Sequence, residues 1–316
     1  VRHPGFSLSE RGKTMRQSVA CIRSVEIEMT DPERAAAFYR DVWHLTETGR
    51  QDGVIYLRGT SRSHHILAIH PSHGPGKVRR VVFEAADHAM VDRLHAKVAV
   101  TGVPCEAPHR LNRIDGGYGF GFADLAGRAL AVVAEADNFP DDARVADRPY
   151  KIAHVNLNDT DAEKTRDFFV EALGFRTVDH AGPQFFLNCD SADHSTMVIC
   201  KSQDMTLNHV SFEMPDLESV MRGAGRMRDH GYPIEWGPGR HGSGNNVFAY
   251  FAGPEELPIE YTAEVLQIDD SYVFGGPDKW KWPPGRLDHW GVTPPHTQRW
   301  KRIQSLYGFA MDAYRL

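Results

Sequence analysis

Cysteine is scarce. Only Cys21, Cys105, Cys189 and Cys200 occur in 316 residues, and none stands in a CxxC pair. That spacing speaks against a disulfide framework or a zinc finger, and the four are expected to be reduced thiols of a cytoplasmic protein. Long apolar runs are missing too. No stretch approaches the ~18 residues of a membrane span, and no charged-then-apolar leader opens the chain, so no membrane partner is expected. Positive charge is not in excess. A net charge of −6 excludes a broad phosphate-binding surface, and with it nucleic acid as a partner. What the chain has in abundance is histidine, 17 in all, the residue that binds metals and moves protons near neutral pH.

The chain also repeats itself. Residues 24–39 align with 154–169, setting Asp31 on Asp161 and Phe38 on Phe168 at an offset of 130. The same register sets Ile55 on Phe185, Leu57 on Leu187 and His64 on His194. After one deletion the offset is 129, with Glu84 on Glu213, Gly102 on Gly231 and Pro104 on Pro233. Two homologous domains are expected, over 21–136 and 150–264, joined by an Asp- and Pro-rich linker over 137–149. Residues 1–20 form a polar extension in which Met15 is a candidate start, leaving part of it as vector sequence. Residues 265–316 form a tail with four of the six tryptophans, expected to be a lid or an oligomer contact.

Each half repeats a shorter rhythm. In the second, strands near 152–157, 184–188 and 196–200 flank a helix over 161–172 that Gly174 ends. A second round has strands near 208–214, 247–251 and 258–263, with a helix over 217–230. The expected fold is α+β: two domains of paired βαβββ modules, four modules in all, with sheets curling into half-open barrels.

Strand side chains alternate between faces with period 2. Ala153, Val155 and Leu157 form a helix-covered face, so His154 and Asn156 point the other way. Val210, Phe212 and Met214 leave His209 and Ser211 inward, while Ile259, Tyr261 and Ala263 leave Glu260 inward. Three strands thus send His154, His209 and Glu260 to one inner surface, two imidazoles and a carboxylate suited to non-haem Fe(II). Mn(II) suits the same donors. The first half is a control: its equivalent positions hold Ser24, Arg80 and Ala131, none of which can replace these ligands. The second half is therefore expected to be catalytic and the first a scaffold.

The two-domain plan, the silent first half and the run Gly239-Arg240-His241…Tyr250-Phe251-Ala252-Gly253-Pro254…Glu260 resemble the type I extradiol ring-cleavage dioxygenases of the vicinal oxygen chelate superfamily, the glyoxalase-like fold. The resemblance covers about residues 20–264; Ala249, Gly253 and Glu256 depart from the pattern around one turn. It implies a cytoplasmic homo-oligomer that inserts both atoms of O2 into a catechol or trihydroxybenzene-type ring at a 2-His-1-carboxylate Fe(II) centre. His154, His209 and Glu260 would be the metal ligands and His194 the acid/base beside the site. Tyr250 and His241 would hydrogen-bond substrate oxygens. The tail and the altered turn resemble outlying members such as the trihydroxytoluene oxygenases. The same modules also suit two other readings: a metal-dependent glyoxalase- or epimerase-like enzyme, and a non-redox binding protein for small aromatics. His180, His289 and His296 carry no assignment.

Overall fold

A computed structural model describes residues 17–316, so Met15 and most of the extension lie outside the described residues. The first domain runs β1 (Cys21–Met29), α1 (Pro32–Asp41), β2 (Thr46–Gln51), β3 (Val54–Arg58) and β4 (Leu67–Pro71). It continues with β5 (Lys77–Glu84), α2 (His88–Ala99), β6 (His109–Arg110), β7 (Tyr118–Ala123) and β8 (Ala129–Ala134). The second domain repeats this as β9 (Ile152–Asp159), α3 (Ala162–Leu173), β10 (Arg176–Ala181), β11 (Gln184–Asn188) and β12 (Met197–Lys201). Then come β13 (Leu207–Glu213), α4 (Leu217–Asp229), β14 (Trp236–Arg240), β15 (Val247–Ala252) and β16 (Pro258–Ala263). The tail adds the short helix α5 (Gln298–Ile303). The four βαβββ modules expected from the repeat are therefore present.

Local chemistry explains why each module starts alike. Helices α1 to α4 open on Asp31, Asp87, Asp161 and Asp216, whose carboxylates accept from the backbone amide three residues on. Such a cap satisfies a donor that the helix itself cannot, worth ~1 kcal/mol. Helix α3 stops at Gly174, whose φ of 73° is a left-handed conformation that glycine adopts without strain.

Two eight-stranded sheets follow the same order, β2-β3-β4-β1-β5-β8-β7-β6 and β10-β11-β12-β9-β13-β16-β15-β14. In each, two modules meet along antiparallel central strands, β1 with β5 and β9 with β13. The register places His154 opposite Ser211 and Ser211 opposite Glu260, so both ligand candidates flank the middle strand that carries His209. Two irregularities interrupt the β9–β13 pairing, one between Ser211 and Phe212 and one between Leu207 and His209, where β13 holds an extra residue, a bulge at Asn208.

The two domains share one apolar core. They pack reciprocally: Tyr39 lies against Phe212 at 6.4 Å between ring centroids, and its repeat partner Phe169 against Phe83 at 6.3 Å. Beside the first contact, Trp43 stacks on Tyr261 at 3.6 Å and 11°, and its carbonyl accepts from the Tyr261 hydroxyl. Trp43 is fully buried. Trp43→Ala is expected to cost ~3–5 kcal/mol. Because the core is shared, urea unfolding followed by fluorescence and by circular dichroism should show one coincident, earlier transition for both domains.

Candidate metal centre

His154 and His209 bring their Nε2 atoms to 3.0 Å of each other, and Glu260 Oε2 lies 3.3 Å and 3.2 Å from them. One ligand atom from each of the three lies within 4.8 Å of the others. All three residues are buried, and neither Glu260 oxygen makes a regular hydrogen bond. These are separations of atoms aimed at a common point. An octahedral ion with ~2.1 Å bonds spaces adjacent ligands by about 3.0 Å.

The tautomer of His209 supports the same reading. Asn208 Nδ2 donates to Asn158 Oδ1 at 2.9 Å, which leaves Asn208 Oδ1 as the acceptor facing His209 Nδ1 at 2.8 Å. His209 Nδ1 therefore carries the proton, and Nε2 turns a lone pair toward the Glu260 carboxylate. Two such groups repel unless a cation lies between them. The donor set thus fits a divalent metal. The bulge makes this possible, because strict alternation would have sent Asn208 to the helix side of the sheet.

Electrostatics follow burial. Burial pushes the Glu260 carboxyl up, but the imidazoles of His154 and His209 outweigh it and hold it below the usual carboxylate range. Burial lowers His209, assisted by His154 and opposed by Glu260. His241 is lowered to about 4, by burial first and by His154 and His209 next, against the pull of Glu260. Its Nε2 shares a 2.9 Å hydrogen bond with the Tyr250 hydroxyl, which burial and Glu260 hold well above the ordinary range.

These residues open into a cavity of about 400 Å³. Its wall runs from Gln184 and Phe186 on β11 through His154 and His209 to Tyr250 and Trp236 on β15 and β14, so the sheet curls around it. His241, Gly242 and Ser243 close one side. The tail supplies Trp280, Trp282, Leu287, His296 and Gln304. His296, unassigned from sequence, meets Trp236 edge-on at 4.2 Å. His289 lies against Trp282, and His180 stacks on Phe185.

Of the six expected site residues, His154, His209, His241 and Tyr250 line the cavity, Glu260 is buried against the two ligand imidazoles, and His194 is held by a different partner. It is fully buried but does not line the cavity; Ser195 does. Its Nε2 lies 2.8 Å from Asp179 Oδ2, a carboxylate that also accepts from Ser243 Oγ at 2.7 Å, Tyr272 Oη and the Gly275 amide. Burial would raise Asp179, but the bonds from His194 and Ser243 hold it below its usual value. A buried carboxylate needs these donors, and one nitrogen of the His194 imidazole is committed to it. The first domain carries the missed signal. There the doublet is His64-His65, and His65, the partner of Ser195, is the fully buried one, 3.3 Å from Arg113.

The chain belongs to the Glyoxalase/Bleomycin resistance protein/Dioxygenase superfamily, whose profile matches residues 22–132 and 151–261. Among curated relatives, metapyrocatechase 2 of Cupriavidus necator is 30% identical over 155 residues, 46% of this chain and less than half (46%) of that protein. A manganese-dependent 2,3-dihydroxybiphenyl 1,2-dioxygenase of Geobacillus genomosp. 3 is 22% identical over 305 residues, 84% of this chain and 96% of that protein. Among solved structures, a Mn(II)-bound glyoxalase from Novosphingobium aromaticivorans superposes with a TM-score of 0.82 at 30% identity, covering 89% and 93% of the two chains.

Two outcomes are expected. His194→Gln should lower stability by ~2 kcal/mol through the loss of a hydrogen bond to a buried carboxylate, with the pH profile of turnover unmoved. A shift in that profile would return His194 to the site. In metal-free protein, His241 is neutral when folded down to about pH 4, whereas unfolded histidine protonates near 6.5. Its contribution is complete above pH 6.5 and is lost as pH falls toward 4. His241→Gln should flatten that part of a Tm-against-pH curve.

Proposed function

We propose that the protein is an extradiol ring-cleaving dioxygenase acting on uncharged aromatic diols. The observation that carries this reading is the cluster of His154, His209 and Glu260 at the floor of an aromatic-walled cavity. The three side chains would hold a divalent iron or manganese and leave its cavity side open for substrate. When bound there, the ion supplies positive charge that favours the deprotonated diol and the redox couple through which ring electrons reach dioxygen. Two curated relatives named for catechol and dihydroxybiphenyl cleavage, one of them manganese-dependent, support the reading.

The chain's own groups divide the remaining work. Tyr250 keeps its proton, and it and the neutral His241 imidazole, paired at 2.9 Å, offer polar atoms to the oxygens of a bound diol. Trp236, Phe186, Trp280 and Trp282 offer flat apolar faces to a ring and exclude water. Among the described residues no Lys or Arg lines the cavity, so a carboxylate on the substrate would meet no counter-charge.

The similarity to a Mn(II)-bound glyoxalase favours a second reading, Lewis-acid chemistry without redox change. Against it, all three donors come from one domain, and their first-domain counterparts Ser24, Arg80 and Ala131 cannot complete a four-ligand site.

Anaerobic reconstitution with Fe(II) or Mn(II), then a panel of catechols under an oxygen electrode, separates the readings. One O2 consumed per diol with a yellow product is expected. Diols without a carboxylate should show kcat/KM at least ~10-fold above acidic ones, about 1.4 kcal/mol of discrimination. Metal binding without oxygen uptake would overturn the dioxygenase reading. Glu260→Gln and His209→Ala should each lose both bound metal and turnover.

A further inference from the structure

The chain carries two copies of one architectural site, and the silent copy is full. At an offset of 129, the partner of His209 is Arg80, that of Tyr250 is Gly121, that of Glu260 is Ala131 and that of Glu235 is Glu106. In the first domain three of these, Arg80, Gly121 and Glu106, meet the same object, residues 313–316, and Ala131 lies in the cluster beside it. The Arg80 guanidinium donates from Nε to the Ala313 carbonyl at 3.1 Å and from Nη2 to the Arg315 carbonyl at 2.6 Å. Glu26 balances its charge at 3.2 Å. Gly121 leaves room for the Tyr314 carbonyl, and a Cβ at 121 would collide with it. Glu106 accepts from the amides of Gly121 and Leu316, and Leu316 packs into the cluster that contains Ala131. Of the three differences that disqualify this half as a metal centre, Arg80 thus binds the segment and Ala131 lies in the cluster that receives Leu316.

Upstream, the same segment reaches the metal centre. Gln304 Nε2 donates to Asn208 Oδ1 at 2.8 Å, the atom that also receives His209 Nδ1, and the Gln304 carbonyl accepts from Asn158 Nδ2 at 2.7 Å. Between the two contacts the chain bridges the domains at equivalent strand positions. The Leu207 amide donates to the Tyr307 carbonyl at 2.8 Å and the Val78 amide to the Gly308 carbonyl at 3.0 Å.

We propose that the first domain's site has become a docking socket for the chain's own C-terminal segment, and that its occupancy holds Gln304 on Asn208 and so orients His209 toward the metal. Gln304 is then a positioning residue. With two donors on one carbonyl oxygen, the Asn208 amide cannot flip, and the metal-facing nitrogen of His209 stays unprotonated. A strap that is either docked or released is an element both sites can bias. The coupling rests on the metal reading above, whereas the socket does not.

The test measures hydrogen exchange at the Val78 and Leu207 amides and Mn(II) affinity by calorimetry. It compares the full chain, a chain lacking 313–316, Gly121→Val and Gln304→Leu. Both socket variants should lose protection at the two amides and bind Mn(II) ~10-fold more weakly. Gln304→Leu should weaken Mn(II) alike with protection retained. Unchanged exchange in both socket variants would overturn the socket, and increased exchange with unchanged Mn(II) affinity would overturn the coupling. If the shortened chain does not fold, Leu316→Glu takes its place. A wild-type chain that binds neither Mn(II) nor Fe(II) would sink the proposed function, with the exchange data still judging the socket.

Discussion

A carboxylate with no exposure and no regular hydrogen bond is the constraint around which the second domain is organised. Glu260 can sit fully buried behind the cavity only if positive charge meets it there. Its neighbours are two imidazoles, one of which turns a lone pair toward it, and their geometry leaves that charge to a cation. Everything nearby holds those nitrogens still. The central strands fix the rows, the bulge at Asn208 adds an amide behind one imidazole, and the tail adds Gln304 behind the amide. A site whose ligands sit on ladder strands is rigid enough to select a coordination geometry.

Where backbone rules are local, the sequence was readable. The aspartate caps, the period-2 faces and the offset of 130 then 129 placed the modules, the strands and the inward set of His154, His209 and Glu260. Less was legible where a side chain's direction is decided by something other than alternation. His194 and Ser195 are adjacent in a loop, and which one faces the cavity depends on Asp179, a partner 15 residues away that demands a donor. Asn208 faces inward only because a bulge breaks parity. Gln304 lies 96 residues from the amide it holds, and no spacing rule connects the two. The tail could be recognised as something that buries aromatics, but not as one wall of the cavity.

Duplication has let two copies of one scaffold face different demands. The second has polar donors around an opening, while the first has residues that complement a peptide backbone: a guanidinium for carbonyls, a glycine for close approach and an alanine for an apolar side chain. The electrostatic ledger differs accordingly. Arg80 and Glu26 neutralise each other inside the first barrel, whereas Glu260 in the second has only imidazoles for company.

The reciprocal packing of the domains also bears on ancestry. Tyr39 touches the other domain's sheet at Phe212 as Phe169 touches the first domain's at Phe83, which is the pattern of a two-fold interface written into one polypeptide. A single-domain forebear with this aromatic face could not have stayed alone in water. It would have paired with a copy of itself, giving two identical sites per dimer. Fusing the two genes freed one site to change, because the other was thereafter always present on the same chain.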